Sequence, residues 1–309
     1  MNVIPPITIR AAQLTSSTLA YPDTGETAWS SASVAYVVGD TVTYEVSGLV
    51  QKFRSITAHT SSATNYPVPY PNETVNWLDI GAANRYNMFH LERNTQSEGT
   101  SPLVVEVTPG ERFGAVGFGN LECDSIRVEV YDGATQIHDE SQDTVSRQVT
   151  GWWDYFYQPF RQIENAVFWD LPILSTAKIK VTFTRGSGNV KVGFFVLGMP
   201  FEIGTTSERA EADALNFSEI ARDEFGESRI TPRRDVPKTS QIVLIDSANI
   251  DNVRGLLKDL NAQVALWSAL SDPLNEYFGS LFIIGLYKRR NITVNDDGAT
   301  YLSLELEQV

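Results

Sequence analysis

Three histidines and a single cysteine are the side chains of this sequence best suited to hold a metal ion or to act as base or nucleophile. His59, His90 and His138 lie in different segments and show none of the close spacings that place two imidazoles on one metal. Cys123 precedes Asp124, whose negative charge raises the pKa of a neighbouring thiol and disfavours the reactive thiolate. We therefore expect no metal, no cofactor and no cysteine-based catalysis.

Other catalytic motifs also point to no active site in this sequence. No Gly-x-Ser-x-Gly nucleophile motif occurs. The glycine-rich segment Gly114–Gly119 is not followed by a predicted helix, which a phosphate-binding loop requires. A pair of carboxylates could serve a glycosidase, but the 38 acidic residues supply many pairs and none is distinguished by its position. The sequence favours a protein that is not an enzyme.

Aromatic residues are the more informative candidates for binding. Residues 27–81 are rich in serine, threonine and valine, and they include the spread aromatics Trp29, Tyr36, Tyr44, Phe53 and Trp77. The segment Gly151–Tyr157 places five aromatics in seven positions, and strand alternation would put Trp152 and Phe156 on one face and the others on the opposite face. One face can be core, so the other needs a neighbouring loop, a second subunit or a ligand. The candidate glycan or partner contacts are Trp29, Tyr36, Tyr44, Trp77, Trp152, Trp153, Tyr155 and Tyr157.

Charge and hydropathy argue against two classes of partner. A net charge of −14 argues against the basic surface that nucleic-acid binding needs. Two short basic clusters, 233–234 and 288–290, are interpreted as solvated strand ends. The longest apolar runs, such as Ser280–Tyr287, are too short to cross a bilayer. The first six residues include two prolines and start no signal peptide, so we expect synthesis and folding inside a cell.

Alternation of apolar and polar residues predicts strands over most of the first 200 residues. The clearest are Thr41–Tyr44, Leu103–Val107, Ile126–Tyr131 and Lys178–Phe183, separated by glycine-containing turns. After about residue 205 the pattern changes. A helix is predicted at Asn249–Ala262, and Ala210–Phe225 has loosely helical spacing. Further strands are predicted at Gln241–Ile245, Leu281–Tyr287, Asn291–Val294 and Tyr301–Leu306, with a hairpin turn at Asn295–Gly298 between the last two.

These patterns predict a mainly β protein of several modules. We expect an N-terminal strand or arm over residues 1–26 and a small three-stranded β domain over residues 27–81. A jelly-roll-like β-sandwich is expected over residues 82–204, and an α+β domain over residues 205–309.

The small module resembles the chitin-binding modules of carbohydrate-binding families 5/12. The resemblance rests on Trp29, the segment Tyr36–Val42 with its Gly39-Asp40 turn, Phe53, the polar loop 57–72 and Trp77. It implies a three-stranded fold and sugar stacking on exposed rings.

A larger resemblance is to structural tail proteins of tailed bacteriophages. In these, a start like Val3–Thr8 and Leu14–Ser17 leads into such a module, and a segment like Trp77–Phe89 then leads into a β-sandwich. The likeness covers most of the first 205 residues. The run Trp-Leu-Asp-Ile-Gly-Ala-Ala-Asn-Arg-Tyr-Asn-Met-Phe is its most specific part. Residues 205–309 more loosely resemble the ring-forming domains of tail and baseplate proteins.

This resemblance implies a virion protein of the tail, made in the host cytoplasm, whose partners are itself and other tail or baseplate proteins. The alternatives are a receptor-binding or carbohydrate-binding tail protein that contacts a host surface glycan, and a glycan-degrading enzyme with an appended binding module. The segment Trp77–Gly81 should close the small module, and Asn84–Phe89 should begin the sandwich with Tyr86, Met88 or Phe89 in its core.

Self-assembly is expected to come from residues 205–309. The run Leu281–Leu286 is apolar on both faces, so one helix covers one face and a neighbouring subunit the other. Tyr301–Leu306, taken as an edge strand, would pair between chains. The alternative is that Ala210–Arg222 forms a second helix that covers the second face.

Overall fold

The computed structural model describes residues 1–69, 74–147, 150–222, 224–273, 275, 277–294 and 300–309. Strands make up 49% and helices 10%, so the mainly β prediction is confirmed. The chain forms two units. One contains Met1–Pro6 with Met199–Val309, and the other contains Ile7–Gly198. These limits differ from the predicted ones because the strand Asn2–Ile4 pairs with Phe201–Glu202 and with Ala265–Ser268.

Two antiparallel sheets within Ile7–Gly198 share one hydrophobic core, and together they are called the two-sheet body. In spatial order, the five-stranded sheet contains Thr135–Asp143, Ser125–Asp132, Lys178–Thr184, Leu103–Val107 and Leu14–Ser17. The four-stranded sheet contains Ala166–Phe168, Ala115–Glu122, Val190–Gly198 and Ser97–Gly99. Alternation explains the core, since Val128, Val181 and Val105 stand side by side and are all buried.

A smaller sheet lies between residues 27 and 82. Its strands in spatial order are Thr27–Ala28, Thr41–Val46, Leu49–Ser55 and Trp77–Ala82, with a separate pair of Ala35–Tyr36 and His59–Thr60. The turn at Ser47-Gly48 has positive φ at both residues (55° and 85°), the geometry of a tight hairpin turn. The polar loop 57–72 is described only as far as residue 69.

The segment Trp77–Phe89 joins the small sheet to the two-sheet body. Trp77–Ala82 is the last strand of the small sheet, and Asn84–Phe89 is a 3₁₀ helix. Met88 and Phe89 are buried in the core of the two-sheet body, against which Tyr86 also packs. The structure thus gives this segment the joining role expected from the sequence.

Side chains in this joint hold it in place. Asp79 accepts hydrogen bonds from the Gly81 N–H and from Arg93 Nη2, both at 2.9 Å. The Asn84 amide donates to the Glu98 carbonyl and accepts from the Glu98 N–H, both at 2.8 Å. The polar residues of the motif are therefore used structurally.

The unit of Met1–Pro6 and Met199–Val309 is built on one seven-stranded sheet. Its strands in spatial order are Phe201–Glu202, Asn2–Ile4, Ala265–Ser268, Phe282–Val294, Thr300–Gln308, Asp235–Ile245 and Thr205–Asn216. The helix Ile250–Asp259 covers one face with Val253 and Leu257. The predicted helix is therefore confirmed. A 3₁₀ turn, Ser247–Asn249, precedes this helix, and the Asp246 side chain caps the turn by accepting from the Ala248 N–H at 3.1 Å.

Two helix predictions for this unit are wrong. The described residues of Ala210–Phe225 contain no helix, because residues 210–214 alternate alanine with acidic side chains and residues 210–216 pair with the strand Asp235–Ile245. The second-helix alternative fails for the same reason. The strands predicted at Leu281–Tyr287 and Asn291–Val294 are confirmed as parts of one continuous strand, Phe282–Val294, which begins one residue later than predicted.

Tyr301–Leu306 is not an edge strand. It lies inside Thr300–Gln308, which pairs with Asp235–Ile245 on one side and with Phe282–Val294 on the other. The predicted turn Asn295–Gly298 lies outside the described residues.

Candidate interaction surfaces

The three histidines and the cysteine, which were considered first as metal-binding or catalytic residues, do not form one cluster among the described residues. Burial raises the pKa of the Cys123 thiol to about 11, which keeps it protonated at neutral pH. His59 packs edge-on against the Trp77 ring at 4.9 Å, and His138 lies 3.3 Å from the Glu140 carboxylate. No group of three or more potential metal ligands occurs among the residues that the structure describes.

Two candidate contact residues of the small sheet are core residues. Trp77 is fully buried and Tyr36 is 6% exposed, and their rings meet edge to face at 5.1 Å. Trp77 Nε1 donates to the Asn65 carbonyl at 2.9 Å. Neither ring presents a face on which a sugar could stack, so aromatics here supply the packing area that a small module needs.

The other two candidates of the small sheet lie nearer its surface. Trp29 and Tyr44 are half-buried and contact edge to face at 5.1 Å, and Tyr44 lies 6.2 Å from the Tyr66 ring. Tyr66 is 45% exposed. It was missed in the sequence because it lies in a proline-rich loop without strand alternation. We call Trp29, Tyr44 and Tyr66 the Trp29 cluster.

The aromatic segment after Gly151 forms a short helix, Trp152–Tyr157, so the predicted strand alternation is wrong. The Asp154 carboxylate closes the turn by accepting from the Thr150 hydroxyl and from the N–H groups of Thr150 and Gly151. These hydrogen bonds, chiefly that from the Thr150 hydroxyl, lower the pKa of Asp154.

None of the aromatic rings of this helix is buried. Five of them and Phe160 are between 52% and 81% exposed, and they form what we call the aromatic patch: Trp152, Trp153, Tyr155, Phe156, Tyr157 and Phe160. Trp152 stacks nearly parallel to Phe156, at 6.4 Å and 19°. Arg147 lies over the Tyr155 and Phe160 rings, at 5.3 and 4.8 Å. Large exposed apolar patches of this kind mark interaction sites.

A second exposed surface lies in the other unit. The described residues between 214 and 237 form a two-stranded extension of the seven-stranded sheet, which we call the ribbon. Ala214–Asn216 pairs with Asp235–Pro237, and Glu219–Arg222 pairs with Ser228–Thr231. No third strand pairs with these residues in the part of the chain that is described.

The ribbon exposes apolar side chains on its whole length. These are Leu215, Phe217, Ile220, Phe225 and Ile230, with Phe225 92% exposed at the tip. Ile220 and Ile230 face each other across the pair, and each is 64% exposed. The ion pair between Glu219 and Arg233, at 3.0 Å, is exposed and adds little stability. Since an isolated two-stranded hairpin is only marginally stable in water, this is a segment suited to being covered.

Sequence reasoning missed the ribbon for a specific reason. Alanine and glutamate favour helices locally, so Ala210–Leu215 suggested one. The signal that could have found it is the period-two order Ala-Glu-Ala-Asp-Ala-Leu.

Comparisons with models of known protein families, with curated proteins and with solved structures find no match for this chain. None of the helices described in the structure has the length and hydropathy needed to span a membrane.

Proposed function

We propose that this chain is a non-enzymatic structural component of a bacteriophage tail or baseplate, located in the virion, that connects neighbouring proteins as a homo-oligomer. The observation that carries the proposal is the ribbon, which exposes apolar residues along its whole length and pairs with no third strand of the described chain. The resemblance of Trp77–Phe89 to tail proteins supports the proposed location in a phage tail. In this proposal the two-sheet body is a jelly-roll-like sandwich, and the small sheet is a carbohydrate-binding-like module.

The aromatic patch supports the connecting role from the other unit. Its six rings would bury a large apolar area against a protein partner, and Trp and Tyr are enriched in such contacts. A chain that has one exposed surface in each of two units can contact two different neighbours. This arrangement suits a connector.

Excision of the ribbon tests the homo-oligomer. Joining Asp213 to Lys238 through Asn-Gly removes residues 214–237 and preserves the paired ends, since Asp213 and Lys238 face each other in the sheet. By light scattering at micromolar concentration, the full chain should associate and the shortened chain should associate more weakly, with an unchanged circular dichroism spectrum of the remaining sheets. A shortened chain that associates like the full chain would contradict the proposal.

A second measurement tests the virion assignment. Antibodies against the protein, applied to tailed particles from a culture that carries the gene, should label one level of the tail in electron micrographs. Absence of the chain from purified particles would overturn this part of the proposal, whatever the oligomeric state.

The Trp29 cluster supports one alternative, a receptor-binding or carbohydrate-binding tail protein. Its half-exposed rings are of the kind that stack on sugar faces. Binding of chitin oligosaccharides to the full chain, lost in Tyr66→Ala and kept in the control Tyr277→Ala, would favour this alternative. The control replaces an exposed tyrosine of the other unit.

A further inference from the structure

The four long strands of the seven-stranded sheet leave two edges open. Phe282–Val294 has 13 residues, but the short strand Ala265–Ser268 pairs only with Phe282–Gly285. Within the described part of the chain, its remaining residues, 286–294, therefore have a strand neighbour on one side only. At the opposite side, Thr205–Asn216 has 12 residues and pairs only with Asp235–Ile245 in the described chain. Open edges of this length are templates for pairing with another chain.

The two edges carry opposite charge. Residues 286–294 include Lys288, Arg289 and Arg290, all exposed. Lys288 and Arg289 contact glutamates of the adjacent strand at 3.2 and 3.9 Å, whereas Arg290 lies over the Tyr287 ring. The opposite edge carries Glu211 and Asp213, which are both exposed. We call these the basic edge and the acidic edge.

The strand directions also match. All neighbours among the four long strands are antiparallel, so the two outermost strands run in opposite directions. A second copy placed beside the first in the same orientation therefore brings its basic edge antiparallel to the acidic edge of the first. Antiparallel pairing is the more stable ladder.

We propose that copies of this chain join head to tail, the acidic edge of one copy pairing with the basic edge of the next, so that the sheets become continuous. The inference rests on the homo-oligomer part of the proposed function and names its interface. Backbone hydrogen bonds supply affinity, and the opposite charges set which edges meet. A contact between two different surfaces of the same chain is heterologous, and it closes into a ring when the rotation permits.

A second copy is the partner that both edges select. One chain carries both halves of the complementary pair, and each open stretch, 286–294 and 205–216, is long enough for a ladder of several residues. A different protein would need to match only one edge and would leave the other uncovered. The ribbon continues the acidic-edge strand, so the same contact brings it next to the neighbouring copy.

Charge reversal in the full chain tests the pairing. One variant carries Glu211→Lys and Asp213→Lys, and the second carries Arg289→Glu and Arg290→Glu. All four side chains are exposed and the Arg289 ion pair is at 3.9 Å, so each monomer should stay folded. The control, Glu111→Lys with Glu164→Lys, makes the same charge change as the first variant at exposed sites of the unit Ile7–Gly198.

Sedimentation velocity gives the readout. Each edge variant alone should need at least about tenfold higher concentration than the native chain for half-assembly, because like charges then meet at the contact. An equimolar mixture of the two variants should restore association, since each reversed edge then finds an opposite one. A chain with all four substitutions should also associate, and the control should behave like the native chain.

The outcomes separate the two proposals. Edge variants that associate like the native chain, or a mixture that shows no rescue, would overturn the head-to-tail pairing while the homo-oligomer stands. A native chain that stays monomeric at the highest concentration would overturn both the pairing and the homo-oligomer. Circular dichroism of every variant identifies any that has unfolded, and the rescue by mixing cannot come from unfolded chains.

Discussion

The two-sheet body and the ribbon are made of the same kind of strand, but only the first is covered by its own chain. In the two-sheet body, Phe118 is fully buried and contacts Phe168, Phe183 and Phe195 at ring distances of 5.2 to 6.1 Å. In the ribbon, the paired residues Ile220 and Ile230 remain mostly exposed. Alternation therefore specifies a strand, whereas a second layer decides whether its apolar side chains are buried.

The two regions also differ in the free energy that burial of their apolar side chains contributes. Burial of a large apolar side chain contributes roughly 1.5 to 3 kcal/mol, and the ribbon forgoes most of that contribution within one chain. If a neighbouring copy covers the ribbon, as proposed, the contribution appears on assembly. The comparison therefore predicts large stability effects in the body and large assembly effects in the ribbon.

The largest expected effect is loss of a core ring in the two-sheet body. Phe118→Ala removes a fully buried side chain and leaves a cavity, so we expect a fall of about 3–5 kcal/mol in the free energy of unfolding. The matched change at the ribbon tip, Phe225→Ala, should cost less than about 0.5 kcal/mol in the dilute chain. Urea unfolding of both variants measures this. Equal losses in the free energy of unfolding would contradict the expected difference between the two-sheet body and the ribbon.

An intermediate effect is expected from two ion pairs. The Asp79 side chain is buried and bonds Arg93 Nη2 at 2.9 Å and the Gly81 N–H, so Asp79→Ala should cost about 1–3 kcal/mol. The ribbon pair Glu219–Arg233 is exposed on both sides, so Glu219→Ala should cost about 0–1 kcal/mol. A double-mutant cycle on each pair measures the coupling. A ribbon pair as strong as the Asp79 pair would contradict the view that the ribbon is loosely held.

The smallest expected effect is a pH dependence at the joint. Burial, followed by the positive charge of Arg93, lowers the pKa of His90 below its usual value of 6.5. The folded state therefore favours the neutral ring. The stability that depends on it is fully present above pH 6.5 and declines as the pH falls from there through the lowered pKa. Thermal unfolding of the native chain and of His90→Gln between pH 5 and 8 should show a flatter profile in the variant. Identical profiles would contradict this assignment.

Much of the fold could be predicted from local patterns, and one failure has a local cause. Alternation predicted Leu103–Val107, and apolar spacing predicted the helix at Ile250–Asp259. The aromatic helix was missed because its aromatics favour strands, whereas the Asp154 carboxylate closes a helical turn.

Which distant strands pair with one another could also not be predicted from the sequence. Whether Tyr301–Leu306 is an edge strand depends on which strands lie beside it. The residues of a single strand do not specify that order. For the same reason, the exposure of the ribbon could not be read from its residues. Only the tertiary pairing shows that the two open edges carry opposite charge.

Hydrogen exchange of the full chain tests most directly the claim that copies meet at the ribbon and the open edges. Samples at dilute and at assembling concentrations would be compared, with light scattering confirming the state of each. The amides of the ribbon and those of residues 286–294 that point away from Thr300–Gln308 should exchange faster in the dilute sample than in the assembled one. Those of the two-sheet body should be equally protected in both. Unchanged fast exchange of the ribbon and of residues 286–294 in an assembled sample would contradict the account.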